Sequence, residues 1–121
     1  MKKVFWIAMI GWMFSSCYNN NKQELYQNFT TNGCDTTMVT YSDVINPICV
    51  NNCATSGCHS SSNRQSGLDL SNYNDVMTIA KDGRLMNRLT GNGPIMPPGG
   101  PLPNCDIRKI ETWVLDGAPN N

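Results

Sequence analysis

Histidine is almost missing from this sequence: among 121 residues, His59 is the one imidazole. Charge is scarce too. Nine basic and nine acidic residues cancel at neutral pH, so the chain lacks the basic field that draws a phosphate backbone, and nothing in it suggests a nucleic-acid partner. No internal repeat is visible, and no segment reads as a strand. No apolar run reaches the roughly 20 residues that a membrane-spanning helix needs. The run from Val4 to Phe14 is too short to cross a bilayer as a permanent helix.

That run follows Met1-Lys2-Lys3 and ends in Ser15-Ser16-Cys17, the order of an export signal: a basic start, an apolar core, then small residues where cleavage occurs. A small residue before a cysteine, after such a core, resembles the lipobox of bacterial lipoproteins, with Phe14 standing where that motif usually has Leu. The resemblance implies a signal peptide over residues 1–16 and an acylated N-terminus at Cys17. The lipid would hold the chain on a membrane of the cell envelope, facing the periplasm or the surface. Ordinary cleavage nearby, with Cys17 lost or free, would export the protein equally. Removal of Lys2 and Lys3 leaves seven basic residues against nine acidic ones, a net charge of −2. Residues 17–38 include Asn19-Asn20-Asn21, lack apolar periodicity and read as a flexible tether. Residues 39–121 then form one domain of about 85 residues, a size at which a hydrophobic core alone is often marginal.

Six cysteines in an exported chain would ordinarily be read as a disulfide framework. Setting Cys17 aside leaves Cys34, Cys49, Cys53, Cys58 and Cys105, an odd number. Covalent attachment of haem requires two thiols near two neighbouring vinyl groups of one porphyrin, followed at once by an imidazole that reaches the iron. Cys53-Ala54-Thr55-Ser56-Gly57-Cys58-His59 meets those needs, with a spacer of four residues where two is the familiar length. Gly57 and the small Ala54 and Ser56 let the longer loop fold back. Two other readings compete: a Cys₃His zinc site from Cys49, Cys53, Cys58 and His59, and a Cys53–Cys58 disulfide beside an inert histidine.

Downstream, Gly93 to Pro103 holds five of the seven prolines and cannot be helix or central strand. A thioether is a weak ligand, and prolines keep such a loop close to its bound shape. Met96-Pro97-Pro98 resembles the axial-methionine loop of class I cytochromes c, a surface loop with Met96 packed inward being the alternative. The C-terminal segment repeats Ile107, Ile110, Val114 and Leu115 at helical spacing beside Trp113, with Asn104 or Pro103 at its start and Gly117 and Pro119 at its end. An earlier helix starts after Ser42, an N-cap, with Val44, Ile45 and Ile48 on its inner face and Pro47 near its first turn. A middle helix follows Ser71 and carries Val76, Met77 and Ile79 inward. Gly83 interrupts it, and Arg84 to Thr90 forms another turn or two through Leu85, Met86 and Leu89.

The order helix, attachment loop, helical middle, methionine loop, helix is similar to that of class I cytochromes c over about residues 39–118. Gly67-Leu68-Asp69-Leu70, Met96 to Gly100 and Trp113 to Ala118 resemble small cytochrome c domains of bacterial surface lipoproteins. The resemblance implies an all-α fold of three to four helices with long loops around one haem c. Cys53 and Cys58 would form the thioethers and His59 and Met96 the axial ligands, with Met77 and Met86 as fallback ligands. Arg84 or Arg88 would pair with a haem propionate. The implied function is single-electron transfer in the cell envelope, without catalysis, between redox proteins that the chain does not name. A haem-based sensor or redox-enzyme subunit is the runner-up, and an exported structural domain held by zinc or disulfides is the third reading. A Cys34–Cys105 disulfide would close a loop of about 70 residues and contribute on the order of 4 kcal/mol. Cys49–Cys105 is the rival pairing, and the first leaves Cys49 a buried thiol.

Overall fold

The computed structural model describes residues 33–121. Residues 1–16, expected to be a signal peptide, Cys17 and most of the segment expected to be a tether lie outside the described residues. Cys34–Asn121 forms one compact unit, which takes in residues 34–38 that the sequence assigns to the tether.

The fold is all-α. A π-helical turn, Tyr41–Ile45, runs into α1, Asn46–Asn52. Then come α2, Tyr73–Lys81, α3, Arg84–Thr90, and α4, Asn104–Leu115. Among the described residues there is no strand, and no helix is long and apolar enough to cross a membrane.

Local chemistry sets the boundaries. Thr40, rather than Ser42, caps the first helical segment: its Oγ1 accepts the Asp43 N–H at 3.3 Å. The Ser42 N–H instead donates to the Asn121 carbonyl at 2.9 Å, and the Tyr41 N–H to Asn121 Oδ1 at 2.8 Å. The C-terminus thus supplies acceptors for donors that a cap would otherwise satisfy. Pro47 lies in the first turn of α1, where its missing N–H costs nothing. Asn72 caps α2 by accepting the Asp75 N–H at 3.0 Å. Gly83, at φ +82°, takes the left-handed turn that separates α2 from α3.

The core is apolar. Ile45, Val76, Ile110 and Trp113 are fully enclosed, with Tyr41, Leu85 and Leu89 beside them. The Tyr41 ring meets Trp113 at 5.7 Å and Tyr73 edge-on at 5.0 Å, contacts that join the first helical segment to α4 and α2. The tail after α4 turns back over this cluster. Trp113 Nε1 donates to the Pro119 carbonyl at 2.9 Å, and the Tyr73 hydroxyl donates to the Ala118 carbonyl at 2.8 Å. Leu115, expected on the inner face of α4, is 68% exposed. Ile110 and Trp113 define that face, and Leu115 is turned about 100° from its neighbour Val114.

Candidate functional site

Helix α1 stops at Asn52, and the chain folds tightly over the next seven residues. The Cys53 and Ala54 N–H groups both donate to the Cys49 carbonyl at 2.8 Å. Gly57, at φ +80° and with open space where a Cβ would be, makes the turn that reverses the chain. The loop closes when the His59 N–H donates to the Cys53 carbonyl at 3.1 Å. Two later segments brace it: the Gln65 N–H donates to the Cys58 carbonyl at 3.1 Å and the Leu70 N–H to the His59 carbonyl at 2.8 Å. Asn63 accepts the Gly57 N–H at 2.9 Å. Every residue of the Cys53, Cys58, His59 set therefore has its backbone held by a hydrogen bond.

All three side chains line one cavity of about 510 Å³, within the range of small-molecule and cofactor sites. Leu68, Leu70, Ile79, Leu85 and Leu89 make its lining apolar. Met96, Pro97 and Pro98 line the same cavity, as do Arg84 and Arg88. The methionine loop is tied to α3 at Arg88. The Met96 N–H donates to the Arg88 carbonyl at 3.1 Å, and Arg88 Nη1 donates to the Pro94 carbonyl at 3.4 Å. A Cβ at Gly93 would come within 3.1 Å of Arg88 Nη1, so the loop crosses the guanidinium closely. Arg84 forms a 2.7 Å ion pair with Asp82 at the surface. The backbone Arg84 N–H, and after it that side-chain bond, hold the Asp82 carboxyl below the usual range. Met77 and Met86, the fallback ligands, pack against the core and are not part of the cavity lining.

Cys34 and Cys105 form a disulfide, with Cα atoms 5.4 Å apart. Cys49, Cys53 and Cys58 are free. Cys49 is enclosed in the core, one helical turn before Cys53. Hydrogen bonding to the Cys53 thiol and then burial push Cys49 above the ordinary thiol range, and hydrogen bonding to Cys49 holds Cys53 below it. Residue reading overlooked this contact, although the four-residue spacing of Cys49 and Cys53 on a helix is the signal for it. Cavity residues Asn52, Gln65 and Ser66 were likewise unforeseen, being polar positions without a motif.

The fit of these residues to a covalently held haem rests on the donor set and on His59. Two free thiols, an imidazole and a thioether share one apolar cavity with two guanidinium groups. His59 Nδ1 is buried without a hydrogen-bond partner, which leaves Nε2 as the nitrogen for a ligand. Leaving a buried polar atom unpaired costs about 1–3 kcal/mol, and such a cost persists at functional sites. The chemistry suits the group. Among the described residues, by contrast, no three His, Cys, Asp or Glu side chains are gathered so as to hold a metal ion by themselves, as the zinc reading needs. No family model, curated protein or solved structure matches the chain.

Proposed function

We propose that this chain is a monohaem c-type cytochrome domain of a bacterial lipoprotein, similar to class I cytochromes c, that transfers single electrons in the cell envelope. One observation carries the reading: Cys53, Cys58, His59 and Met96, drawn from two segments about 40 residues apart, line a single apolar cavity. Cys53 and Cys58 would hold the porphyrin through thioethers, and His59 and Met96 would take the two axial positions. Haem so held supplies a one-electron iron couple, with the weakly donating thioether favouring the ferrous state.

The rest is work for the chain's own residues. Leu70, Ile79, Leu85 and Leu89 keep water from the cavity wall. Arg88, fixed against Pro94, would offer a positive charge to a propionate, and Arg84, one turn earlier in α3, would offer a second on leaving its ion pair with Asp82. If His59 and Met96 both held the iron, no position would be left for a substrate, which favours electron transfer over catalysis. The Cys34–Cys105 disulfide supports residence in an oxidising compartment, in keeping with export and a lipid anchor at Cys17. The test is expression with a haem-attachment system, followed by an absorption spectrum and an intact mass. One haem bound through Cys53 and Cys58 is expected, and colourless protein from a competent host would overturn the proposal.

A second reading, a haem-based sensor, draws on the 36% exposure of Met96. It requires the thioether to leave its position so that a small ligand can bind. Carbon monoxide binding to the reduced wild-type protein would favour it.

A further inference from the structure

The segment that carries Met96 doubles back on the helix it has just left. Gly91, at φ +83°, ends α3 with its N–H on the Asn87 carbonyl, and the Asn92 N–H donates to that same carbonyl at 3.0 Å. Beyond this turn the chain meets Arg88 at successive points. Gly93 passes so close to the guanidinium that a Cβ there would stand 3.1 Å from Nη1 and 3.7 Å from Cζ. Arg88 Nη1 donates to the Pro94 carbonyl at 3.4 Å, and the Arg88 carbonyl accepts the Met96 N–H at 3.1 Å. Burial does little to fix the same stretch, because Ile95 is 44% and Met96 36% exposed. Its position therefore depends on these contacts with one residue of α3.

We propose that Arg88 is a positioning residue, whose guanidinium clamps residues 93–96 onto α3 and so sets where the Met96 thioether stands in the cavity. What this does for an axial ligand rests on the function proposed above; the clamp itself does not.

A thioether donates weakly, so it holds iron only if little freedom of the loop remains to be lost on binding. A guanidinium suits the task. It is charged at every working pH and carries five N–H donors in a rigid fork. One of them, on Nη1, serves Pro94, and the others are compatible with a propionate at the same time. The two roles differ in what they require. A charge felt by a propionate acts through space and leaves the loop as free as before, whereas a clamp needs the guanidinium seated against Gly93 and Pro94.

Two substitutions separate these roles. Arg88→Met keeps an apolar stem on α3 and removes every donor and the charge. Gly93→Ala keeps the charge and crowds Nη1 away from the Pro94 carbonyl, the end of a flexible side chain being what must yield. The first measurement is amide hydrogen exchange on the full exported chain, with the Leu70 N–H, which donates to the His59 carbonyl, as the reference. In Arg88→Met the Met96 N–H should exchange about fivefold faster, less than a buried bond from a charged donor would give because this one is exposed. Gly93→Ala should move it the same way by about twofold, and the Leu70 N–H should not change in either variant. An unchanged Met96 rate in Arg88→Met would overturn the clamp. A rise shared equally by Leu70 would overturn it as well, since the whole domain and not the loop would then have loosened.

The second measurement titrates haem-loaded protein with imidazole, which competes with Met96 for the iron. Apparent affinity should rise about fivefold in Arg88→Met, by the same weakening of the loop. Affinity equal to wild type would overturn the clamp even with the haem reading intact. If Met96 exchange rises as expected but no haem is ever bound, the clamp stands and the haem reading falls.

Discussion

The molecule has two unlike sides. Around Tyr41, Ile45, Ile110 and Trp113 the chain closes on itself, with the C-terminal tail wrapped over the aromatic cluster and Ile45 and Trp113 wholly out of contact with water. Around the cavity, the segments that carry Cys53, His59 and Met96 are turns held by backbone hydrogen bonds. Stability is therefore concentrated where side chains interdigitate. The cavity lies where they stop short of one another. A cavity left apolar and open is not filled by the chain's own side chains, and the free energy of whatever occupies it adds to that of the closed side.

The sharpest way to break the contrast is Trp113→Ala. Removing a fully enclosed indole that also donates to Pro119 should cost about 3–5 kcal/mol, read from a urea titration. A loss under about 1 kcal/mol would mean that the aromatic cluster is not the centre of stability.

The disulfide comes next. Replacing Cys34 and Cys105 together with Ser opens a loop with a sequence separation of 71 residues. It should destabilise the fold by about 4 kcal/mol in the chain-entropy account, seen as a lower melting temperature in the double variant. Haem attachment through Cys53 and Cys58 should survive in whatever fraction folds. Loss of attachment in the folded fraction would tie the two sides together more closely than their separation suggests.

Tyr41→Phe should act in the opposite direction. The Tyr41 hydroxyl is buried without a partner, so its removal should stabilise by about 1 kcal/mol. The same change should alter the alkaline limb. Burial pushes the phenol from 10.0 up to about 12. Because the folded pKa is the higher one, the stabilisation is fully present below the unfolded value and is lost as pH rises from 10.0 toward about 12. The variant should lack that decline, and urea midpoints measured across the range would reveal it.

The smallest effect on stability belongs to the cavity side. Met96→Ala alters a residue that is 36% exposed and should shift stability by no more than about 0.5 kcal/mol. In haem-loaded protein the same change should lower the reduction potential and open the sixth position to added ligand. An unchanged spectrum would remove Met96 from the site.

Helices with strong apolar periodicity were legible from the residues: α2 buries Val76 and Ile79, α3 buries Leu85 and Leu89, and Gly83 parts them. The segment from Cys53 to His59 stood out because cysteine and histidine at fixed spacing serve a short list of chemistries, and the structure brings its three side chains to one cavity. Three features were not. Thr40 rather than Ser42 is the cap because the helical turn already begins at Tyr41, and the Ser42 N–H goes to Asn121, 79 residues further on, which no local pattern reports. Leu115 turns outward because Ile110 and Trp113 set the buried face of α4 and Leu115 lies about 100° round the helix from Val114. The Cys49 to Cys53 contact was hidden by the stronger motif that claimed Cys53.

What the sequence determined by itself was the identity and local order of the donors: two thiols, one imidazole and a proline-flanked thioether, with helices between them set by side-chain period and capping. Such properties depend on residues within a few positions of one another. Only the tertiary structure decided that these donors border the same cavity, that Arg84 and Arg88 join them there, and that Cys34 reaches Cys105. Those outcomes depend on how the helices pack across the whole chain, and packing is settled by the collective burial of Tyr41, Ile45, Ile110 and Trp113 rather than by any motif.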